Sequence, residues 1–136
     1  MLVKVVIDGR DLDALAAFWC AALGYERLDV WDESYLNLRP APGSEASDGP
    51  PLLLQRVPEP KSGKNRLHLD LHADDGPATV DRLAGIGATR VGDVNAEYLQ
   101  AHGTAFQVMA DPEGNEFCVV WRTGPAPWDQ PRSTAE

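Results

Sequence analysis

The groups able to do chemistry are few: the three imidazoles are His68, His72 and His102, and the two thiols are Cys20 and Cys118. His68-x-Asp70-x-His72 puts two imidazoles and a carboxylate on alternate residues, hence on one side of a strand. Such a nitrogen and oxygen set suggests a divalent metal. Strand residues two apart stand about 7 Å from each other, however, too far for adjacent side chains to converge on one ion without help, so His72 reads as a solvated strand end. Zinc could take His68 and Cys118, but two ligands are too few for a structural or a catalytic site. Cys118, next to Val119 and Val120, reads as a small core hydrophobe before it reads as a nucleophile. His102 lies in a polar stretch and is expected in solvent.

The elements that must carry these residues follow from periodicity. Leu2 to Asp8 is a strand with Lys4, Val6 and Asp8 on one face. Asp11 caps a helix whose apolar residues, Leu12, Leu15, Ala16, Trp19, Ala22 and Leu23, recur at helical spacing until Gly24 stops it. Glu26 to Trp31 and Tyr35 to Arg39 form a hairpin turned at Asp32-Glu33-Ser34, and a loop from Pro40 to Pro51 leads to a buried strand, Leu52 to Val57. Arg66 to His72 alternates cleanly, with Leu67, Leu69 and Leu71 opposite His68, Asp70 and His72. Asp74 or Asp75 caps a second helix with Pro77 in its first turn. Thr89 to Asp93 and Thr104 to Ala110 are further strands, joined by a loop through Glu97, Gln100 and His102. Asp111-Pro112-Glu113-Gly114-Asn115 is strong turn chemistry, and from Glu116 to Trp121 alternation puts Phe117, Val119 and Trp121 opposite Glu116, Cys118 and Val120.

Lys4 against His68 and Leu23-Gly24 against Ile86-Gly87 are offset by about 64 residues, so the chain is an internal repeat. The expected fold is α+β: two tandem βαβββ modules in a single domain over 1–122, with module one at 1–60, a linker at 61–65, module two at 66–122 and a C-terminal tail at 123–136. If the two sheets face each other, they enclose a cleft lined by the side of each strand that points away from the helices. Trp31, Tyr35 and Phe106 are candidate walls of that cleft, His68, Gln55 and Cys118 candidate anchors, and Trp19 and Trp121 belong to the core.

The Asp-Pro-Glu-Gly-Asn turn leading into a strand, the Asp-capped helix with Phe18-Trp19 and Leu23-Gly24-Tyr25, and Leu-His-Leu-Asp-Leu resemble the vicinal-oxygen-chelate superfamily. This is the group of the glyoxalase, bleomycin-resistance and dioxygenase-like proteins, and the resemblance is to its glyoxalase-like subgroup. It covers Leu2 to Arg122. It implies the paired-module fold, a small hydrophobic or aromatic organic ligand and, if the protein is an enzyme, lyase, isomerase or dioxygenase chemistry. It also maps the metal sphere of the metal-dependent members onto Lys4, about Gln55, His68 and Cys118. Only His68 keeps the family's residue; an ammonium repels a dication, and an amide and a thiol suit magnesium, manganese or iron poorly. The expectation is therefore a ligand-binding set of Lys4, Trp31, Tyr35, Gln55, His68, Phe106 and Cys118, with no metal and no cofactor. Two alternatives stand beside it: a metal-dependent lyase or dioxygenase with an atypical sphere around His68, and an interaction domain with a closed cleft.

Bulk properties narrow the partners. A formal net charge of −9 and a pI near 4.7 disfavour nucleic acid, whose phosphates would be repelled, and offer no basic patch to anionic lipid. The longest apolar run is far below a membrane span, and Met1 to Ile7 is too short and too charged for a signal sequence. Two cysteines without metal or disulfide spacing fit a reducing compartment. A cytoplasmic protein, a small-molecule ligand and a homodimer are expected, the last because chains of this architecture often pair.

Overall fold

The computed structural model describes residues 1–28, 32–44 and 48–124. Trp31 and the tail residue Trp128 lie outside the described residues. The order of elements is β1 (Val5–Gly9), α1 (Leu12–Leu23), β2 (Tyr25–Arg27), β3 (Tyr35–Pro40), β4 (Leu52–Arg56), β5 (Asp70–His72), α2 (Gly76–Gly85), β6 (Thr89–Val91), α3 (Ala96–His102), β7 (Thr104–Ala110) and β8 (Glu116–Arg122). The two sheets have orders β1-β4-β3-β2 and β5-β8-β7-β6. Each sheet has one parallel pair, β1 with β4 and β5 with β8, and is otherwise antiparallel. Identical strand orders in both halves make the internal repeat a repeat of topology, and the α+β fold of two tandem βαβββ modules is as expected.

Alternation decides which side of each sheet is apolar. Val5 and Ile7 on β1, Leu36 and Leu38 on β3, Leu52 and Leu54 on β4 turn toward α1, whose Leu12, Leu15, Phe18 and Trp19 are buried. Phe117 and Val119 of β8 and Val80 and Leu83 of α2 join the same core. Phe18, Trp19 and Phe117 form a ring cluster with centroids 5.1–5.9 Å apart, so the helix-covered sides of the two modules meet each other. The Asp111 turn secures that junction. The Asp111 carboxylate accepts the Trp19 indole N–H at 3.1 Å, Glu113 Oε1 accepts the backbone N–H groups of Arg10 and Asp11 at 2.6 Å, and Asn115 Nδ2 donates to Asp8 O at 3.0 Å. From the second module, Arg82 donates to the carbonyls of Ala21 and Ala22, satisfying the C-terminal end of α1 where a cation also suits the helix dipole.

Three expectations are corrected. The stretch 66–69 is not strand: β5 begins only at Asp70, and Leu67 is 90% exposed instead of facing a helix. The chain bends there because the linker is tied to β8, with Lys61 Nζ 3.0 Å from Glu116 Oε1 and Asn65 Nδ2 donating to Glu116 O at 3.1 Å. The stretch read as a loop through His102 is α3, capped by Asn95, whose side chain accepts from Tyr98 N, and stopped by Gly103 at φ +64°. Lastly, β1 starts at Val5, leaving Met1, Leu2 and Val3 exposed. Among the described residues no helix is long and apolar enough to cross a membrane.

Candidate functional site

The side of the second sheet that faces away from α2 carries the chemistry. Register places Cys118 between Asp70 and Val108, and Val120 between His72 and Phe106. These residues line a cleft of about 480 Å³. α3 forms one bank: the Tyr98 ring meets Phe106 edge-on at 5.5 Å and stacks near His102 at 4.4 Å. Phe106, Val108 and Val120 supply aromatic and aliphatic surface, and His68, Asp70 and Cys118 supply the polar floor.

That floor is tightly drawn together. His68 Nε2 stands 3.1 Å from Asp70 Oδ1, both side chains about half exposed. Cys118 is buried at the base, and its backbone N–H donates to Leu69 O at 2.9 Å. Burial pushes the Cys118 thiol up, and the charge of Asp70, the hydrogen bond the thiol donates to it and the charge of Glu116 push it further. A thiol so held is protonated at neutral pH and is not an activated nucleophile. The convergence of His68 and Asp70 overturns the expectation from strand spacing. Two residues apart on a regular strand they would stay separate, but the chain bends at 66 and 67 and His68 lies before the start of β5.

A second cavity, of about 470 Å³, lies at the seam between β1 and the residues before β5. Lys4, just before β1, and Val6 and Asp8 on it line one side, and Asn65, Leu67 and His68 the other. Asn65, His68, Glu116 and Phe117 wall both spaces.

The seven expected site residues are thus divided. His68, Phe106 and Cys118 share the first cleft, and Lys4 shares the seam with His68. Gln55 and Tyr35 line neither space. They are register partners on β4 and β3, and Tyr35 borders a separate depression with Arg27 and Arg56. Trp31 is outside the described residues. The Lys4 ammonium donates to Asn37 Oδ1 at 3.0 Å on the first sheet. The four-position metal sphere implied by the resemblance is therefore not assembled: a protonated Lys4 has no lone pair to offer, Gln55 lines neither space, and the fourth position, Cys118, is a thiol. Asp70 and Tyr98 are the residues that sequence reading undervalued. Regular strand spacing separates Asp70 from His68, whereas in the structure the two side chains stand 3.1 Å apart. Tyr98 depended on α3, whose signal was Asn95 as N-cap and Gly103 as stop, seven residues of helix apart.

Comparison with known proteins follows this geometry. The profile of the glyoxalase-like domain matches residues 4–120. Comparison with curated protein sequences finds no match. Among solved structures, a glyoxalase/bleomycin resistance protein/dioxygenase family enzyme from Burkholderia phytofirmans PsJN is similar at TM-score 0.66 and 19% identity, covering 88% of this chain and 96% of that one. A glyoxalase/bleomycin resistance protein/dioxygenase from Nocardioides is similar at TM-score 0.67 and 14% identity, covering 96% and 89%. The genomically encoded fosfomycin resistance protein FosX of Listeria monocytogenes is similar at TM-score 0.68 and 11% identity, covering 90% and 93%. At these identities the structural likeness concerns the fold.

Proposed function

The chain belongs to the glyoxalase-like domain family, and from that premise we propose that it binds a small hydrophobic or aromatic organic molecule in the cleft on the open side of its second sheet. The observation that carries this reading is the combination in one space of about 480 Å³ of an aromatic bank, Phe106 with Tyr98, and a polar floor of His68, Asp70 and Cys118. Small-ligand sites have this make-up: apolar walls for affinity and a few polar groups for orientation. This reading asks nothing of Lys4, whose ammonium donates to Asn37 Oδ1, or of Gln55, which lies on β4 outside the cleft lining. A ligand in this space has His68 and Asp70 available in the same lining as Phe106, and these can donate to or accept from a carbonyl, hydroxyl or amine.

A thermal-shift and calorimetric screen of small aromatic compounds tests the proposal. A true ligand stabilises in proportion to ln(1 + [L]/Kd), about 2.7 kcal/mol at a hundredfold excess over Kd. Phe106→Ala should weaken it by roughly tenfold or more, from the loss of one aromatic contact. No saturable stabiliser, or a ligand indifferent to Phe106→Ala, refutes the reading. We also propose that the chain pairs with a second copy, because Val3, Val6 and Leu67 are all exposed and line the same seam, and apolar surface of this kind marks an association site. A sedimentation experiment showing only monomer at high micromolar concentration refutes that.

A further inference from the structure

We infer that His68, Asp70 and Cys118 form a binding site for a borderline-soft divalent cation of the zinc type, built from one module: two neighbouring strands and the segment that leads into the first of them. Their donor atoms, an imidazole nitrogen, a carboxylate oxygen and the thiol sulfur, all lie within 4.8 Å of one another. Tetrahedral zinc with bonds of about 2.0–2.3 Å holds its donors roughly 3.3–3.7 Å apart, so small side-chain rotations suffice. The nitrogen and oxygen already stand 3.1 Å apart.

The local structure supplies what a metal site needs beyond donor types. Asp70 and Cys118 are register partners across the parallel β5–β8 pair, which fixes their side chains as neighbours on one face. Cys118 is buried, and its strand is pinned at that point by the bond from its N–H to Leu69 O. His68 reaches the same point only because the chain bends before β5. His68 and Cys118 alone are too few ligands for zinc, and Asp70 is the third. The set also selects among cations. One thiolate, one imidazole and one carboxylate suit zinc, whereas magnesium and calcium require several oxygen donors that the floor does not provide. Glu116, the next acid along β8, is engaged by Lys61 at 3.0 Å and adds negative potential without competing as a donor. Three protein donors leave a fourth position for an atom of whatever occupies the cleft.

This site differs from the four-position sphere of the metal-dependent relatives in using Asp70 and in needing nothing from the first module. It goes beyond the small-molecule reading, and the two fail separately. The experiment uses untagged full-length protein, stripped with chelator and titrated with zinc against a chromophoric competitor, then with cobalt(II) as a spectroscopic substitute. One equivalent of zinc should bind, and cobalt should produce an intense near-ultraviolet thiolate-to-metal band. Cys118→Ser should abolish that band. Asp70→Asn, a change at a half-exposed position, should weaken zinc binding by at least about tenfold, and His68→Gln likewise, with each variant's circular dichroism and melting curve confirming the fold. Should Cys118→Ser fail to fold, Asp70→Asn and the band itself still decide. Absence of stoichiometric binding, a cobalt spectrum without a thiolate band, or zinc affinity unchanged in Asp70→Asn overturns the inference. Loss of aromatic-ligand binding in Phe106→Ala bears only on the cleft reading and leaves the cation site untouched.

Discussion

Replacing Asp111 by Asn removes one charge and turns one acceptor into a donor at the junction of the two modules. Asp111 is 3% exposed. Its Oδ1 accepts the backbone N–H groups of Glu113 and Asn115 at 2.9 and 3.0 Å, and its Oδ2 accepts Trp19 Nε1 and Asn115 Nδ2, both at 3.1 Å. An asparagine can keep the first pair. Its amide nitrogen then faces two N–H donors, and Asn115 cannot turn its own oxygen inward without setting it against Asp8 O. The indole N–H of Trp19, itself 2% exposed, is orphaned, at a cost of about 1–3 kcal/mol. Relief of a buried charge offsets the smaller loss at Asn115, so the net expectation is a destabilisation of about 2 kcal/mol at neutral pH, read from urea midpoints at constant m-value. In a Trp19→Phe background the same change should cost less, because the donor it orphans is gone. The pH dependence is a second readout. Burial raises the Asp111 carboxyl above its ordinary 3.8 against the pull of its hydrogen bonds from Asn115, Trp19 and Glu113. Between the unfolded and the raised folded value the native state binds more protons, so this group's contribution is full below 3.8 and is lost as pH rises through the folded value. The Asn variant lacks that step. If Asp111→Asn equals or exceeds the wild type in stability at pH 7, desolvation outweighs the hydrogen bonds and the junction does not depend on this carboxylate.

Gly76 leaves no room for a side chain: a Cβ there would sit 2.0 Å from the Trp121 ring, so Gly76→Ala should destabilise by about 3 kcal/mol in chemical denaturation. Asp11→Ala removes the N-cap that accepts Ala14 N at 3.1 Å and should cost about 1 kcal/mol by the same assay. Burial raises both thiols, Cys20 and Cys118, so a disulfide reagent at pH 7.5 should modify the native protein roughly tenfold or more slowly than free cysteine and both groups promptly in denaturant. Fast native labelling at Cys118 would contradict the buried, carboxylate-facing thiol.

The fold was legible because its signals are local and redundant. Asp11, Gly24 and the Leu/Trp stripe define α1, and the alternation from Glu116 to Trp121 defines β8. The repeat of Lys4 and His68 at like positions defines two equal halves. The site was less legible because it depends on distances that sequence spacing misstates. His68 and Asp70 read as strand neighbours with diverging side chains, but the tether of Lys61 and Asn65 to Glu116 breaks the strand before Asp70 and brings them together. Gln55 and Tyr35 were assigned to a shared cleft on the assumption that both open sheet faces meet. They sit instead on the first sheet, away from the space that holds Cys118 and Phe106.

The motif that is plainest in the sequence also turns out to act away from the cleft. Asp111, Glu113 and Asn115 direct their polar groups at Trp19, at the start of α1 and at the end of β1, so the work of the turn is to join the modules. What the turn delivers to the site is indirect. By fixing where β8 begins, it sets the register that puts Cys118 opposite Asp70 and Val120 opposite Phe106. A slip of one residue there would exchange Cys118 for Phe117 or Val119 on the cleft side and bury the thiol under α2, because side chains alternate between faces. The cleft's chemistry therefore rests on a structural turn several residues from it, and damage to that turn should appear as lost stability and lost site geometry together, whereas damage at Asp70 should spare the fold.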